Sequence, residues 1–183
     1  MGRSYNFSAE PISFVPSGWG GNDGNWSTFA IGIGTEPQHF HFLVALDQDK
    51  LLVPLPNYCF NTAIQNCGSR RGVLPFDGNS SLGFQRNRSS TWVTDALLSN
   101  TGNDVLILGR EDDSKSLGFT DIKGVEQSDP WMGSVGLRPI PISANHHSFK
   151  THQPTLIQDI WFSGFIRSIS LGYTAGASYR EFQ

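Results

Sequence analysis

The residues whose types and spacing could carry chemistry are few, and most lie between Gly32 and Cys67. His39-x-His41 presents two imidazoles on one face of a candidate strand, which is half of a metal site. A full site needs further ligands, and only the distant His146, His147 and His152 remain to supply them. Solvated or hydrogen-bonded histidines are the simpler reading, so no metal and no cofactor are expected. Gly32-x-Gly34 begins like a phosphate-cradling turn. Alternating residues rather than a helix follow it, which removes the dinucleotide reading. There is no Gly-x-Ser-x-Gly elbow and no cysteine with a base close in sequence. What is left is Asp47-Gln48-Asp49-Lys50, a polar corner between two stretches that are otherwise built for a core.

Short strands must position that corner. Trp26 to Gly34 alternates and ends in glycines, as a strand and turn do. From His39 to Leu46, Phe40, Phe42, Val44 and Leu46 share one face, and His39, His41, Leu43 and Ala45 the other. Lys50 to Leu55 is a second short strand, ended by Pro54 and Pro56. Residues 1–24 read as irregular, closing on glycine-rich turn chemistry, and 57–90 read as loop. The Ser69-Arg70-Arg71-Gly72 arginines are expected on its polar side. Asp104 to Gly109 predicts a buried strand, and Arg110 to Lys115 a solvated hairpin tip. Further short strands are expected over 116–127 and 131–142. In 153–165, Leu156, Ile157, Ile160 and Trp161 form one apolar helical stripe, with Pro154 before it and Gly164 at its stop. The pattern returns to strand from Ile169 onward. The fold class is all-β with one or two short helices.

With 183 residues, the chain can build one sizeable core or half of a two-lobed protein. A formal net charge of −3 leaves no basic footprint for nucleic acid. No run of apolar residues is long enough to span a membrane. Residues 1–24 contain no apolar signal-peptide core. Cys59 and Cys67 are close enough to close a short loop, and spacing alone leaves bridge and free thiols both open. Four sequons, at Asn6, Asn25, Asn79 and Asn87, all fall in turn-like polar contexts. Together with the cysteines they favour an oxidising, secretory or extracellular setting.

Several segments, in order, resemble the N-terminal lobe of pepsin-like aspartic proteases. Gly34-Thr35-Glu36-Pro37-Gln38 is similar to that family's Gly-Thr-Pro-Pro-Gln turn, and Leu51-Leu52-Val53-Pro54 to its closing Trp-Val-Pro strand. The segment from Cys59 to Cys67 resembles its small disulfide loop, which implies that the two cysteines are bridged. Ser89-Ser90-Thr91-Trp92 is similar to its Ser-Ser-Thr-Tyr/Trp. Gly133-Ser134-Val135-Gly136-Leu137 is similar to its Gly-Ile-Leu-Gly-Leu. Trp161 to Ile166 is similar to the end of its Leu-Trp-x-x-Gly-Leu-Ile helix. The stretches around Gly20 to Gln38 and Ser170 to Arg180 are closest to a fungal branch. The likeness implies a single lobe over 25–183, half of a bilobal β-barrel fold, with no second Asp-Thr/Ser-Gly segment in this chain.

In that family each lobe contributes one aspartate of an Asp-Thr-Gly triplet, and the two carboxylates share a proton and activate water. The triplet falls here on Ala45, Leu46 and Asp47. A methyl group stands where the carboxylate belongs, and Asp47 lies two residues too far along to replace it. The corner should then be an ordinary polar turn, and the segment 93–103 is too short for the family's tyrosine-bearing flap. The resemblance implies a non-catalytic homologue of a secreted aspartic endopeptidase, with a binding or structural role. Its partners would be a peptide or protein in a residual cleft, and a second lobe or a second copy of the chain. Two rivals stand beside it. One is a fragment of a parent that works as an acid endopeptidase. The other is a glycoprotein β-domain that binds cell-wall polysaccharide through exposed aromatics such as Trp19 and Trp26.

Overall fold

A computed structural model describes residues 11–21, 23–54, 59, 65–72, 85–86, 100–109, 114–125, 131–140 and 154–174. Eight strands and two helices occur among them. The strands are β1 (Pro16–Gly20), β2 (Trp26–Ile33), β3 (Gln38–Ala45), β4 (Leu51–Pro54), β5 (Gln85–Arg86), β6 (Asn100–Leu108), β7 (Lys115–Val125) and β8 (Ser134–Gly136). The helices are α1 (Cys67–Arg70) and α2 (Leu156–Phe162). The sheet runs β1-β2-β3-β8-β4-β7-β6-β5, and an added β2–β6 pairing closes six of its strands into a ring. Closure removes two free edges and wraps the apolar faces around one interior. The expected all-β class holds.

Period-two patterning explains which side chains enter that interior. Ile31 and Ile33 of β2, Phe40 and Phe42 of β3, Leu51 and Val53 of β4, and Leu106 and Leu108 of β6 are all buried, each pair two residues apart. Leu117 and Ile122 of β7, Val135 of β8 and Leu156 and Ile160 of α2 complete the cluster. A bulge interrupts β6 between Asp104 and Leu106. Fully buried Asp104 accepts the Val105 N–H there at 2.8 Å, which satisfies a backbone donor that the ladder skips.

Several elements differ from the sequence reading. Residues 1–24 are not irregular throughout, because Pro16–Gly20 adds an edge strand to β2 with a bulge between Pro16 and Gly18. Proline tolerates the first position of an edge strand, and the ladder is made by backbone, so this strand carries no alternating signal. The expected loop over 57–90 contains α1 and β5. From Ile169 to Thr174 the chain has no regular structure, with Ile169, Leu171 and Tyr173 all exposed. Alternation alone does not make a strand without a partner to bond. The strand expected over 131–142 is only Ser134–Gly136 among the described residues. Helix α2 buries Leu156, Ile157 and Ile160 but leaves Trp161 42 % exposed. At about 100° per residue, Trp161 lies about 40° beyond Ile157, off the edge of the stripe. Gly164 does take a positive φ of 75° just past the helix. Most of the hairpin tip, 110–113, lies outside the described residues, although β6 and β7 pair antiparallel up to Leu108 and Lys115.

Candidate functional site

The corner from Ala45 to Lys50 joins β3 to β4, and the two strands do not pair with each other. Strand β8 is inserted between them, parallel to β3 (Val44 beside Val135, Ala45 beside Gly136) and antiparallel to β4 (Leu51 beside Val135). Three backbone hydrogen bonds stitch the corner to the inserted strand and the residues just after it. Gly136 N–H donates to Lys50 O at 3.0 Å, Leu137 N–H to Ala45 O at 2.9 Å and Arg138 N–H to Gln48 O at 2.9 Å. Gly136 is required by the closeness of this approach. A Cβ there would lie 2.5 Å from Lys50 O and 2.6 Å from Lys50 N.

Helix α2 starts against the same corner. Leu156 N–H donates to Asp49 O at 2.9 Å, and Thr155 and Gln158 form a reciprocal capping box. Gln158 also donates to Pro139 O at 3.2 Å, just beyond β8. The side chain of Lys50 crosses beneath, donating to Pro154 O and pairing with Asp121 of β7 at 3.1 Å. Asp49 and Lys123 lie 3.9 Å apart beside it. The corner is therefore not an ordinary polar turn. Asp49 and Lys50 are buried, and the Gln48 side chain accepts from the Ser134 hydroxyl. Leu46 and Asp47 are the residues that face solvent, Leu46 at 60 % exposure. Leu46 was expected to share a strand face with Phe40, Phe42 and Val44, but β3 ends one residue earlier. Asp159, on α2, has its carboxyl pushed above the usual range, chiefly by burial; Lys50 opposes the shift and Asp121 adds to it.

The chemistry open to this arrangement is narrow. Ala45 brings a methyl group to the point where the corner meets β8. The corner's lysine, Lys50, is engaged with Asp121 and with the start of α2. The segment 93–99, where a flap was sought, lies outside the described residues, and Asn100–Asn103 belongs to β6.

The other candidate residues are dispersed. Cys59 and Cys67 form a disulfide, with Cα atoms 5.6 Å apart. Asn25 is exposed immediately before β2, while Asn6, Asn79 and Asn87 lie outside the described residues. His146, His147 and His152 also lie outside them. His39 is exposed, and the His41 Nδ1 shares a 2.7 Å hydrogen bond with Ser17 Oγ and a longer one of 3.5 Å with Thr28 Oγ1. Burial lowers the His41 pKa. A serine beside an imidazole has the outline of an activated nucleophile. Among the described residues, though, no carboxylate orients the other ring nitrogen, so the pair ties β1 to the sheet rather than forming a triad.

Sequence reasoning missed two contacts. The arginines do not share a polar side: Arg70 is exposed, but Arg71 is buried and donates through Nε to Trp131 O at 2.6 Å. Both guanidinium groups sit 5.7 Å from the Trp131 ring, and Trp131 donates back to Arg70 O at 3.0 Å. The end of α1, the helix that begins at Cys67, is thereby clamped to the lead into β8. The Lys50–Asp121 pair was foreshadowed only by acids and lysines recurring at 49–50 and 121–123. No model of a known protein family matches the chain, and no curated protein matches it.

Proposed function

We propose that this chain is a non-catalytic relative of the N-terminal lobe of secreted, fungal-type pepsin-like aspartic endopeptidases, with a binding or structural role. The observation that carries the reading is convergence. Two segments that carry the resemblance, Leu51 to Pro54 and Gly133 to Leu137, lie far apart in the sequence. They pair antiparallel, Leu51 beside Val135 and Leu52 beside Ser134, and the helix whose end carries a third starts against the same corner, with Leu156 N–H on Asp49 O. A chance string of short motifs has no reason to assemble.

At that locus the side chain in the catalytic position is Ala45. A hydrolytic mechanism that shares a proton between two carboxylates has no group to start from. The exposed Asn25 sequon and the Cys59–Cys67 bridge are compatible with a secreted protein. The polysaccharide reading draws some support from Trp26, which is 56 % exposed. However, Trp19 pairs across the ladder with buried Ser27, and Trp26 with Gly20, so the two indoles sit on opposite faces and form no common platform.

The test is hydrolysis of a quenched peptide by the purified chain between about pH 3 and 6, the range in which such a dyad works. A pepstatin-type inhibitor serves as control. No inhibitor-sensitive turnover is expected, from the monomer or from any dimer, since two copies would bring two Ala45 methyl groups. Ala45→Asp alone should stay inactive, because Leu46 lacks the bracing hydroxyl and Asp47 repels a new carboxylate. Inhibitor-sensitive turnover by the wild-type chain would overturn the reading.

A further inference from the structure

Behind the corner, on the side of β3 away from Ala45, lies a cavity of about 980 Å³. Its floor is made by Ile31, Val44, Leu108 and Val135 of the barrel, with Ile157 and Ile160 of α2 as one wall. Its roof consists of two stretches without regular structure, 11–15 and 166–174. The roof is fastened by Tyr173, whose ring lies 6.1 Å from that of Phe29 and whose hydroxyl is 3.4 Å from Ser27 Oγ.

The size and lining of this space ask for an occupant. The chamber is open between its roof residues, several of which (Arg167, Ser168, Leu171) are exposed, so its floor and wall present hydrocarbon to solvent. Apolar surface gathered in one concave place is what an apolar ligand would cover. The volume falls within the range of small-molecule sites, about 300–1,000 Å³. Among the lining residues one is charged, Arg167, and it is flanked on the roof by Ser168 and Ser170, whose hydroxyls are 3.2 Å apart. A guanidinium carries five donors in a fork, so Arg167 can hold a carboxylate beside its protein partner. An apolar chamber with a single cationic group at its roof is complementary to one chemical form, a long apolar body with one anionic head.

We infer that the cavity is a binding site for a single-tailed anionic amphiphile, a long-chain alkyl carboxylate, with its tail over Ile31, Val44 and Val135 and its head at Arg167. The proposal does not depend on how the corner is read. A chain with or without peptidase ancestry would have the same chamber.

Titration of the purified full chain with a fluorescent polyene fatty acid, followed by displacement with hexadecanoate and with hexadecanol, tests it. Saturable binding at one site per chain is expected, with the acid displacing the probe about tenfold more effectively than the alcohol, the worth of one charge-assisted contact. Arg167→Gln, at an exposed position, should abolish the acid-over-alcohol preference while retaining tail binding. Val44→Phe grows into the cavity from its floor and should weaken binding about tenfold, the equivalent of two displaced methylenes. Ile160→Phe, from the α2 wall, gives the same test if Val44→Phe does not fold. Absence of saturable binding would overturn the inference, and that includes the case in which another segment of the chain fills the space. So would binding that ignores the filling variants, which marks surface adsorption. Equal affinity for acid and alcohol with Arg167 intact would overturn the assignment of the head group.

Discussion

Replacing Gly136 by alanine should be among the most damaging small substitutions in this chain. The new Cβ would lie 2.5 Å from Lys50 O, 2.6 Å from Lys50 N and 2.7 Å from Gln48 C. All three are backbone atoms, so no rotamer change relieves the overlap. Reaching ordinary contact at 3.4 Å requires β8 and the corner to separate by about 0.9 Å (3.4 − 2.5). Overpacking of this kind costs about 1–3 kcal/mol. The separation also stretches the Gly136–Lys50, Leu137–Ala45 and Arg138–Gln48 hydrogen bonds, which are 2.9–3.0 Å long. Each contributes about 1 kcal/mol net. If half of that is lost, the total is about 2.5–4.5 kcal/mol, a large share of the 5–15 kcal/mol typical of a folded domain. For a chain of this length the melting temperature should fall by about 10 °C. Urea denaturation of the variant, beside Gly118→Ala whose Cβ would meet nothing within 4 Å, measures the effect. A Gly136→Ala protein within about 1 kcal/mol of the control would mean that β8 is not inserted at the corner. The convergence on which the functional proposal rests would then fail with it.

Three further outcomes are expected. Lys50→Met should destabilise by about 2–4 kcal/mol, somewhat less than the usual cost of orphaning a buried partner because Asp121 is 25 % exposed. A double-mutant cycle with Asp121→Asn should give a coupling above about 1 kcal/mol, and a value under about 0.5 kcal/mol would show the pair to be incidental. Asp159 has a raised folded-state pKa, so its contribution to stability is present below its ordinary value of 3.8 and lost as pH rises through the folded value. Asp159→Asn should accordingly stabilise the protein at pH 7 and leave it unchanged at about pH 3, and chemical denaturation at the two pH values decides the sign. His41 is shifted the other way, so its contribution is present above 6.5 and lost as pH falls through the lowered folded value. Protection of the Gly18–Gly20 amides, corrected for the pH dependence of intrinsic exchange, should fall on acidification in the wild type and much less in His41→Gln; an equal fall in both would remove Ser17–His41 as the tie that holds β1.

The parts of this architecture that follow a period were legible in the sequence. Phe40 and Phe42, Ile31 and Ile33, and Leu106 and Leu108 enter the core because residues two apart share a face, and Leu156, Ile157 and Ile160 do so because helical spacing groups them. The parts that depend on partners were not legible. Pro16–Gly20 is a strand because β2 offers it a ladder, whereas Ile169 to Thr174 alternates as a strand should and has none. Arg71 looks like a surface arginine until Trp131, 60 residues away, supplies a carbonyl and a ring face. The site followed the same division. Ala45, Leu46 and Asp47 could be placed on a corner from local pattern, but the buried Lys50–Asp121 pair joins residues 71 apart and left only a faint charge pattern behind.

On the proposed reading, the corner explains how such a lobe could lack a carboxylate and keep its shape. None of the hydrogen bonds that join it to β8 and α2 uses the side chain at position 45; they run through the backbone of Ala45, Gln48, Asp49 and Lys50. Its side-chain anchors are Gln48 with Ser134, and Lys50 with Asp121 and Pro154, all C-terminal to the degenerate triplet. The contacts that hold the corner therefore fall on Gly136 and on 48–50, with only the Ala45 carbonyl added from 45–47. Leu46 and Asp47 face solvent, so substitution there leaves no cavity and no orphaned buried charge, the two routes by which single changes become severe. This separation has a consequence for any attempt to restore activity. Installing Asp-Thr-Gly at 45–47 should be tolerated structurally, with stability within about 1 kcal/mol of the wild type, since the changes fall on half-buried and exposed positions. It should nevertheless yield no hydrolysis from the monomer, because a single carboxylate has no partner with which to share a proton. Denaturation and peptide turnover measured on the same triple variant separate the two halves of the argument. A collapse in stability would place the triplet among the anchors of the fold, and activity in a monodisperse monomer would remove the need for a second carboxylate.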